Sequence, residues 1–123
     1  MMVLVCLLLL FVPVSQPQRV TFQKGTSSTA ISGSVKGYQL AEYILRASEG
    51  QTMSVKLSSA NPHVVFSIFD GQGRHFQGSP AETTEWSGRL PASDDYIIVT
   101  GLTRAAARRT KRPVKFTLHI SIR

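Results

Sequence analysis

The sequence predicts an all-β fold: an antiparallel β-sandwich of about seven to eight strands, with one short helical turn in a basic loop. Three observations support this prediction. Apolar and polar residues alternate with the period of two that is typical of half-buried strands. Turn residues interrupt these runs about every ten residues, the spacing found in sandwiches and barrels. Only residues 103–109, TRAAARR, combine several residues of high helix propensity.

The first 18 residues, MMVLVCLLLLFVPVSQPQ, are predicted to be a cleaved signal peptide. Their apolar core, residues 3–14, is shorter than the roughly 20 residues that a membrane-spanning helix needs. It lacks the polar alternation of a strand and matches the apolar region of an export signal, although the usual basic residues before it are missing. We expect cleavage near Gln16 and a single β-sandwich domain of residues 19–123. Cys6, the only cysteine, is lost with the signal, so no disulfide is expected.

Seven strands follow from the alternation. The run 64–69 is apolar at nearly every position, which favours a strand buried on both faces, and Asp70-Gly71 ends it with a strong turn signal. The predicted strands are 29–35, 41–47, 53–57, 64–69, 84–90, 96–99 and 114–120. The predicted core residues are Ile31, Tyr43, Leu45, Val55, Leu57, Phe66, Ile68, Ile98, Phe116, Leu118 and Ile120.

The stretch 101–115, GLTRAAARRTKRPVK, is strongly basic. Residues 96–123 contain seven Lys or Arg and no Asp or Glu, whereas residues 1–95 contain seven of each sign, so the net charge of +7 arises entirely near the C-terminus. Because an alternating strand pattern follows the stretch, it is a loop between two strands and not a tail. An uncompensated basic loop on a rigid scaffold predicts a binding surface for an anionic partner.

No metal site is recognisable. The three histidines, His63, His75 and His119, have no metal-ligand spacing. Asp94-Asp95 offers too few oxygen ligands for calcium and is interpreted as part of a hairpin turn. We therefore expect no metal and no cofactor.

No catalytic pattern is recognisable either. The sequence Gly71-Gln72-Gly73 lacks the third glycine and the following helix of a dinucleotide-binding loop. No nucleophile elbow marks a serine hydrolase. The basic stretch has no interleaved aromatic residues for stacking on bases. We expect a protein that is not an enzyme and does not bind nucleic acid.

Two aromatic residues are candidates for contact with a partner. Trp86, the only tryptophan, is expected to pack in the core or on a sheet face, since tryptophan is usually well buried, rather than to form a sugar-stacking platform. Tyr38 follows Lys36-Gly37 in a turn between two strands. No core position is required there, so its phenol either packs on the turn or is exposed to a partner.

The chain resembles the periplasmic inhibitors of g-type lysozyme over nearly all of its exported part. Its most specific similarities are the segment from Gly37-Tyr38 to Gly50-Gln51-Thr52-Met53 and the arginine-alanine-arginine loop. The resembling segments are SGSVKGYQLAEYILRASEGQTMSVKL (32–57), NPHVVFSIF (61–69), WSGRLPASDDYIIVT (86–100), LTRAAARR (102–109) and a final FTLHI strand.

This resemblance implies a periplasmic β-sandwich that binds g-type lysozyme by inserting a loop into the active-site cleft. In the family the binding residues are a tyrosine and two arginines four positions apart. These positions fall on Tyr38, Arg104 and Arg108, with Arg109 adjacent. Lys111 and Arg112 are additional basic residues to which the resemblance assigns no role. No membrane association is expected after signal cleavage. The sequence does not predict an oligomeric state.

The charge of the basic loop suits the cleft of a glycoside hydrolase on physical grounds alone. A glycoside hydrolase carries carboxylates on either side of the scissile bond, in a cleft that concentrates negative potential. Arg104 and Arg108, at positions i and i+4 of a helical turn, would present two planar guanidinium groups on one side. An alternative function from the same charge is an exported binding module for an anionic polysaccharide or another polyanion.

Overall fold

The predicted β-sandwich is confirmed by the structure, a computed structural model that describes residues 17–22 and 26–123. Two four-stranded sheets pack face to face. The strands are β1 (Gln18–Arg19), β2 (Ser28–Val35), β3 (Ala41–Ala47), β4 (Thr52–Ser58), β5 (Val64–Phe69), β6 (Glu85–Arg89), β7 (Asp94–Leu102) and β8 (Val114–Ile122). One helix, α1 (Arg104–Arg109), is present in the described part of the chain.

The first sheet has the strand order β1-β3-β7-β5 and the second has the order β2-β8-β4-β6. All neighbouring strands in the described residues are antiparallel except β1, which lies parallel to β3. The predicted signal peptide lies mostly outside the described residues, but its last residue, Gln18, belongs to β1 and pairs with Tyr43. No helix in the described part of the chain is long and apolar enough to cross a membrane.

Strand β7 is longer than the sequence predicted. It begins at Asp94 because its pairing with β3 continues to Ala47, and it ends at Leu102 because its pairing with β5 continues to Val64. The interpretation of Asp94-Asp95 as a turn was therefore wrong, and the turn precedes these residues. The connection between β7 and β8 is residues 103–113, called the basic segment from here on.

The prediction that β5 is buried on both faces was also wrong. Val64, Phe66 and Ile68 face the core and are buried, but the alternate residues Val65 and Phe69 are only partly buried. The reason is that the second sheet covers one face of the first sheet, and no other layer formed by the described residues covers the opposite face. A continuous apolar run in a two-layer sandwich thus leaves apolar side chains on an outer face.

The core between the sheets contains the predicted residues, with one exception. Ile31 packs against the core but is only partly buried, because β2 is an edge strand. Tyr43 and Phe116 join the two sheets with an edge-to-face contact, at 6.5 Å between ring centroids. Near the start of β7, the Tyr96 hydroxyl donates a hydrogen bond of 2.5 Å to the carbonyl oxygen of Ala92.

Three connections pass between the sheets at one end of the sandwich. They are residues 36–40, between β2 and β3; residues 59–63, between β4 and β5; and the basic segment, between β7 and β8. Because β2 pairs with β8 and β3 pairs with β7, the first and third connections run side by side. Pairing of β4 with β8 and of β5 with β7 brings residues 59–63 to the other side of the basic segment.

Candidate functional site

The basic segment carries α1, which is confirmed as the short helical turn that the alanines predicted. Six residues are too few for a helix that is stable alone in water. Ala106 and Ala107 are buried, with exposed fractions of 1% and 5%, so one face of α1 packs closely against the body of the protein. Tertiary packing therefore holds the helix in place and directs its other face to solvent.

Backbone hydrogen bonds secure both ends of α1. The N–H of Thr103 donates to the carbonyl oxygen of His63 at 3.0 Å, and the N–H of Thr110 donates to that of Ala106 at 2.9 Å. Arg108 in the last turn interacts favourably with the helix dipole, whereas Arg104 in the first turn opposes it. The position of Arg104 is thus not explained by helix stability.

The positive charge of the basic segment is uncompensated. Its exposed basic residues are Arg104, Arg108, Arg109, Lys111 and Arg112. In the described ranges the one ion pair joins Arg19 to Asp95, at 3.3 Å between Nη1 and Oδ1. Arg104 and Arg108 lie four residues apart, on one side of the helix. Their guanidinium groups are therefore available to an anion from outside the protein.

Tyr38 lies in a tight turn with its ring exposed to solvent, which is one of the two positions that the sequence allowed. The N–H of Gln39 donates to the carbonyl oxygen of Lys36 at 3.0 Å. Gly37 has a φ of 58°, which disfavours residues other than glycine. With 66% of its surface exposed, Tyr38 is open to contact by a partner.

The turn of Tyr38 touches the basic segment and the strand that leads into it. A Cβ placed on Gly37 would lie 3.9 Å from the carbonyl oxygen of Thr110, just after α1. A Cβ placed on Gly101, just before α1, would lie 3.5 Å from the carbonyl oxygen of Gln39. The structure therefore brings Tyr38 and the arginines of α1, more than 60 residues apart in the sequence, to the same end of the sandwich.

The histidines do not form a site together. His63 is exposed beside the basic segment, His75 packs on the ring of Phe69 with centroids 4.8 Å apart, and His119 lies in β8. Within the described residues, no group of three or more His, Cys, Asp or Glu side chains is arranged to hold a metal ion.

The glycine-rich turn after β5 is closed by carboxylates and not open to phosphate. Asp70 Oδ1 accepts hydrogen bonds from the N–H groups of Gln72 and Arg74, both at 2.9 Å. Asp94 Oδ2 accepts one from the N–H of Gly71 at 3.0 Å. Backbone donors that could bind an anion are thus already used by acidic side chains.

Trp86 packs against the core, as expected. Its indole Nε1 donates to the carbonyl oxygen of Gly78 at 3.2 Å, and its ring contacts Phe76 edge to face, with centroids 6.2 Å apart. An open groove of about 730 Å³ crosses the outer face of the second sheet nearby. Its charged lining residues are Lys56 and Glu85, of opposite sign, with His119 beside them, so this groove lacks the one-signed charge of a polyanion site.

Leu40 is an exposed apolar residue that was not predicted from the sequence. It ends the turn of Tyr38 and is 47% exposed, and it and Tyr38 are the exposed large hydrophobic residues among the described positions. The available signal was an apolar residue in the polar turn that precedes the alternation of β3.

Comparisons with known proteins identify relatives of the chain. No family model matches the chain. An inhibitor of g-type lysozyme from Escherichia coli (strain K12) is 32% identical over 106 residues, which make up 85% of this chain and 79% of that protein.

Solved structures extend the similarity to the fold. The crystal structure of a periplasmic inhibitor of g-type lysozyme from Aeromonas hydrophila is 34% identical, with a TM-score of 0.76 and coverage of 87% of this chain and 96% of that one. The inhibitor from Salmonella Typhimurium is 28% identical, with a TM-score of 0.73 and coverage of 89% and 100%. The chain therefore belongs to the family of periplasmic inhibitors of g-type lysozyme.

Proposed function

We propose that this protein inhibits g-type lysozymes by placing the arginines of α1, with Tyr38 beside them, in the active-site cleft of the enzyme. The observation that supports the proposal is the pairing of two features at one end of the sandwich. These are a helix that exposes Arg104 and Arg108 without an anionic partner in the described structure, and an exposed tyrosine in the adjoining turn.

The chemistry of a glycosidase cleft suits these groups. Arginine remains charged at any relevant pH and binds carboxylates through a planar fork of N–H donors. Tyr38 adds a large contact area at low cost in side-chain entropy, since it has only two side-chain torsions. Arg109 extends the positive charge at the end of α1. Inhibition is then steric and electrostatic, and the inhibitor itself performs no chemistry.

A lysis assay tests the proposal. Purified protein is added to bacterial cell walls with either a g-type or a c-type lysozyme, and turbidity is followed over time. We expect inhibition of the g-type enzyme at inhibitor concentrations where the c-type enzyme is unaffected. Equal inhibition of both enzymes, together with binding to anionic polysaccharide, would instead support the polyanion-binding alternative, in which the wall substrate is sequestered.

A further inference from the structure

Leu40 is an exposed leucine that is held in place by a glycine of a neighbouring strand. A Cβ placed on Gly101 would lie only 2.6 Å from Leu40 Cδ2, so the leucine side chain rests directly on the backbone of β7. The φ angle of Gly101 is not positive, so its backbone conformation does not require glycine. A glycine inside a strand weakens it and often marks the close approach of another group; here that group is Leu40.

Leu40 is part of a small apolar patch on the outer face of the first sheet, the face that points away from the second sheet. Gly101 pairs with Val65 of β5, and Val99 lies two residues earlier on the same face of β7. Both valines are partly buried. We call Leu40, Val65 and Val99 the Leu40 patch. Glu42, which pairs with Val99, is the acidic residue at its border.

The Leu40 patch adjoins the proposed lysozyme-binding residues. Leu40 is two residues from Tyr38, and Gly101, on which it rests, is three residues from Arg104. A stable protein interface covers about 800 Å² on each partner, more than a few arginine tips and one tyrosine ring supply. Contacts must therefore extend to neighbouring surface, and Leu40 is the exposed large apolar residue that lies there.

We propose that Leu40 is an apolar anchor of the interface with g-type lysozyme, contacting apolar surface at the rim of the acidic cleft. This inference rests on the proposed function. Apolar contacts that surround the charged pairs of an interface exclude water from them, which strengthens those pairs. Because Gly101 positions Leu40 before binding, little side-chain freedom is lost when the complex forms.

The experiment measures binding of a g-type lysozyme, by titration calorimetry, to the parent protein and four variants. Leu40→Ser is expected to weaken binding about tenfold or more, the range of a contact that matters in an interface. The affinity of Leu40→Ser should depend on salt concentration as that of the parent does, because the substitution removes no charge. Gly101→Ala should also weaken binding, because the new methyl group displaces Leu40. The double variant Leu40→Ser with Gly101→Ala should bind no more weakly than Leu40→Ser alone.

Ile44→Ser serves as the matched control. Ile44 lies on the same outer face of the same sheet, four residues further along, and pairs with Ile97. The variant Ile44→Ser replaces an aliphatic side chain with serine, as Leu40→Ser does, but away from the arginines of α1, so its affinity should equal that of the parent. All titrations are made at a temperature at which circular dichroism shows every variant folded.

The outcomes separate this inference from the proposed function. If the parent inhibits lysozyme and Leu40→Ser binds as tightly as the parent, Leu40 is not an anchor, although the proposed function stands. If Leu40→Ser and Gly101→Ala weaken binding additively, Gly101 does not act through Leu40 and the inference is wrong in that respect. If the parent neither binds nor inhibits the enzyme, both proposals fail.

Discussion

The hydroxyl of Tyr43 reaches from the first sheet to the backbone of Gly33 in the second. A Cβ placed on Gly33 would lie 2.7 Å from the Tyr43 oxygen and 2.8 Å from Cζ of Phe116. Both contacts involve aromatic rings that are buried in the core, so neither ring can move aside easily. Glycine at this position therefore sets how closely the two sheets pack.

Gly33→Ala should lower the free energy of unfolding by about 1 to 3 kcal/mol, the usual cost of adding a methyl group to a filled core. Denaturant unfolding followed by circular dichroism measures the change. Ser34→Ala, at the next and exposed position of β2, should change stability by no more than about 0.5 kcal/mol. Equal stability of the two variants would show that the core has room at Gly33.

Burial makes the stability of the protein depend on pH in the alkaline range. Desolvation raises the pKa of Tyr43 above its ordinary value of 10.0. The same effect raises the pKa of Tyr96, where the nearby carboxylates of Asp94, Asp70 and Glu49 also oppose ionisation. Above about pH 10 the unfolded chain releases these protons while the folded protein retains them.

Stability should therefore be constant with respect to these groups below pH 10 and should fall as the pH rises beyond it. Tyr43→Phe removes one of the two groups, so the decline of the unfolding free energy with pH should become shallower. Unfolding in urea at a series of pH values from 8 to 11 measures both slopes. Identical slopes for Tyr43→Phe and the parent would show that Tyr43 does not contribute.

Thr100 is the buried polar residue of the core, with no exposed surface, and its hydroxyl has no hydrogen-bond partner among the residues that the structure describes. An unsatisfied buried hydroxyl costs about 1 to 3 kcal/mol. Thr100→Val keeps the shape and removes the hydroxyl, so it should raise the free energy of unfolding by about 1 kcal/mol. Thr100→Ser retains the hydroxyl and loses a methyl group, and should be less stable than the parent. A destabilised Thr100→Val would indicate that the hydroxyl is bonded in solution.

The sequence predicted the helix and every described strand except β1 because their signals are local. Alternation around Tyr43 or Phe116 needs only a few neighbouring residues, and the alanines that precede Arg108 indicate a helix by themselves. The extent of β7 at Asp94 and Leu102 was not predicted, since it depends on pairing with two other strands. The same applies to β5: its apolar run does not reveal that alternate side chains, such as Val65, point away from the second sheet.

The sequence predicted which residues belong to the candidate site, but it did not predict how they are arranged in space. Arg104 and Arg108 follow from the charge pattern and from the family resemblance, and Tyr38 mainly from the resemblance. Their adjacency arises from the strand order, in which the connection before β3 runs beside the one after β7, and strand order is not a local property. Leu40 was not predicted for the same reason, because its position depends on contact with Gly101 in another strand.

Lys111 and Arg112 should influence how fast lysozyme binds more than how tightly. Both are exposed and follow α1 in the basic segment. A charge at the rim of an interface steers the partner during approach. Salt weakens this attraction, which at 0.1 M ionic strength is largely screened beyond about 10 Å. Lys111→Ala and Arg112→Ala should each lower the association rate a few-fold at low salt and have no effect at about 0.5 M salt. Stopped-flow binding at the two ionic strengths measures this; an effect that persists at high salt would indicate direct contact.

Arg104 and Arg108 should carry most of the inhibition. Removing one member of a charge pair that is desolvated in an interface costs about 2 to 5 kcal/mol, and each 1.4 kcal/mol corresponds to a tenfold change in affinity. We therefore expect Arg104→Ala or Arg108→Ala to weaken inhibition of g-type lysozyme roughly 30-fold or more. Lysine at either position should restore only part of the affinity, because an ammonium group lacks the planar fork of donors that matches a carboxylate.

Both arginines are exposed, so neither substitution should change the melting temperature by more than a few degrees. Because Arg104 opposes the helix dipole, Arg104→Ala should if anything stabilise α1 slightly, whereas Arg108→Ala removes a favourable charge from the last turn. A loss of inhibition by Arg104→Ala therefore cannot result from a weakened helix.

The matched control is Arg74→Ala. Arg74 is an exposed arginine in the loop after β5, at the opposite end of the sandwich, so this variant should inhibit like the parent. If Arg74→Ala weakens inhibition as much as Arg104→Ala does, overall charge governs the interaction and α1 is not inserted in the cleft.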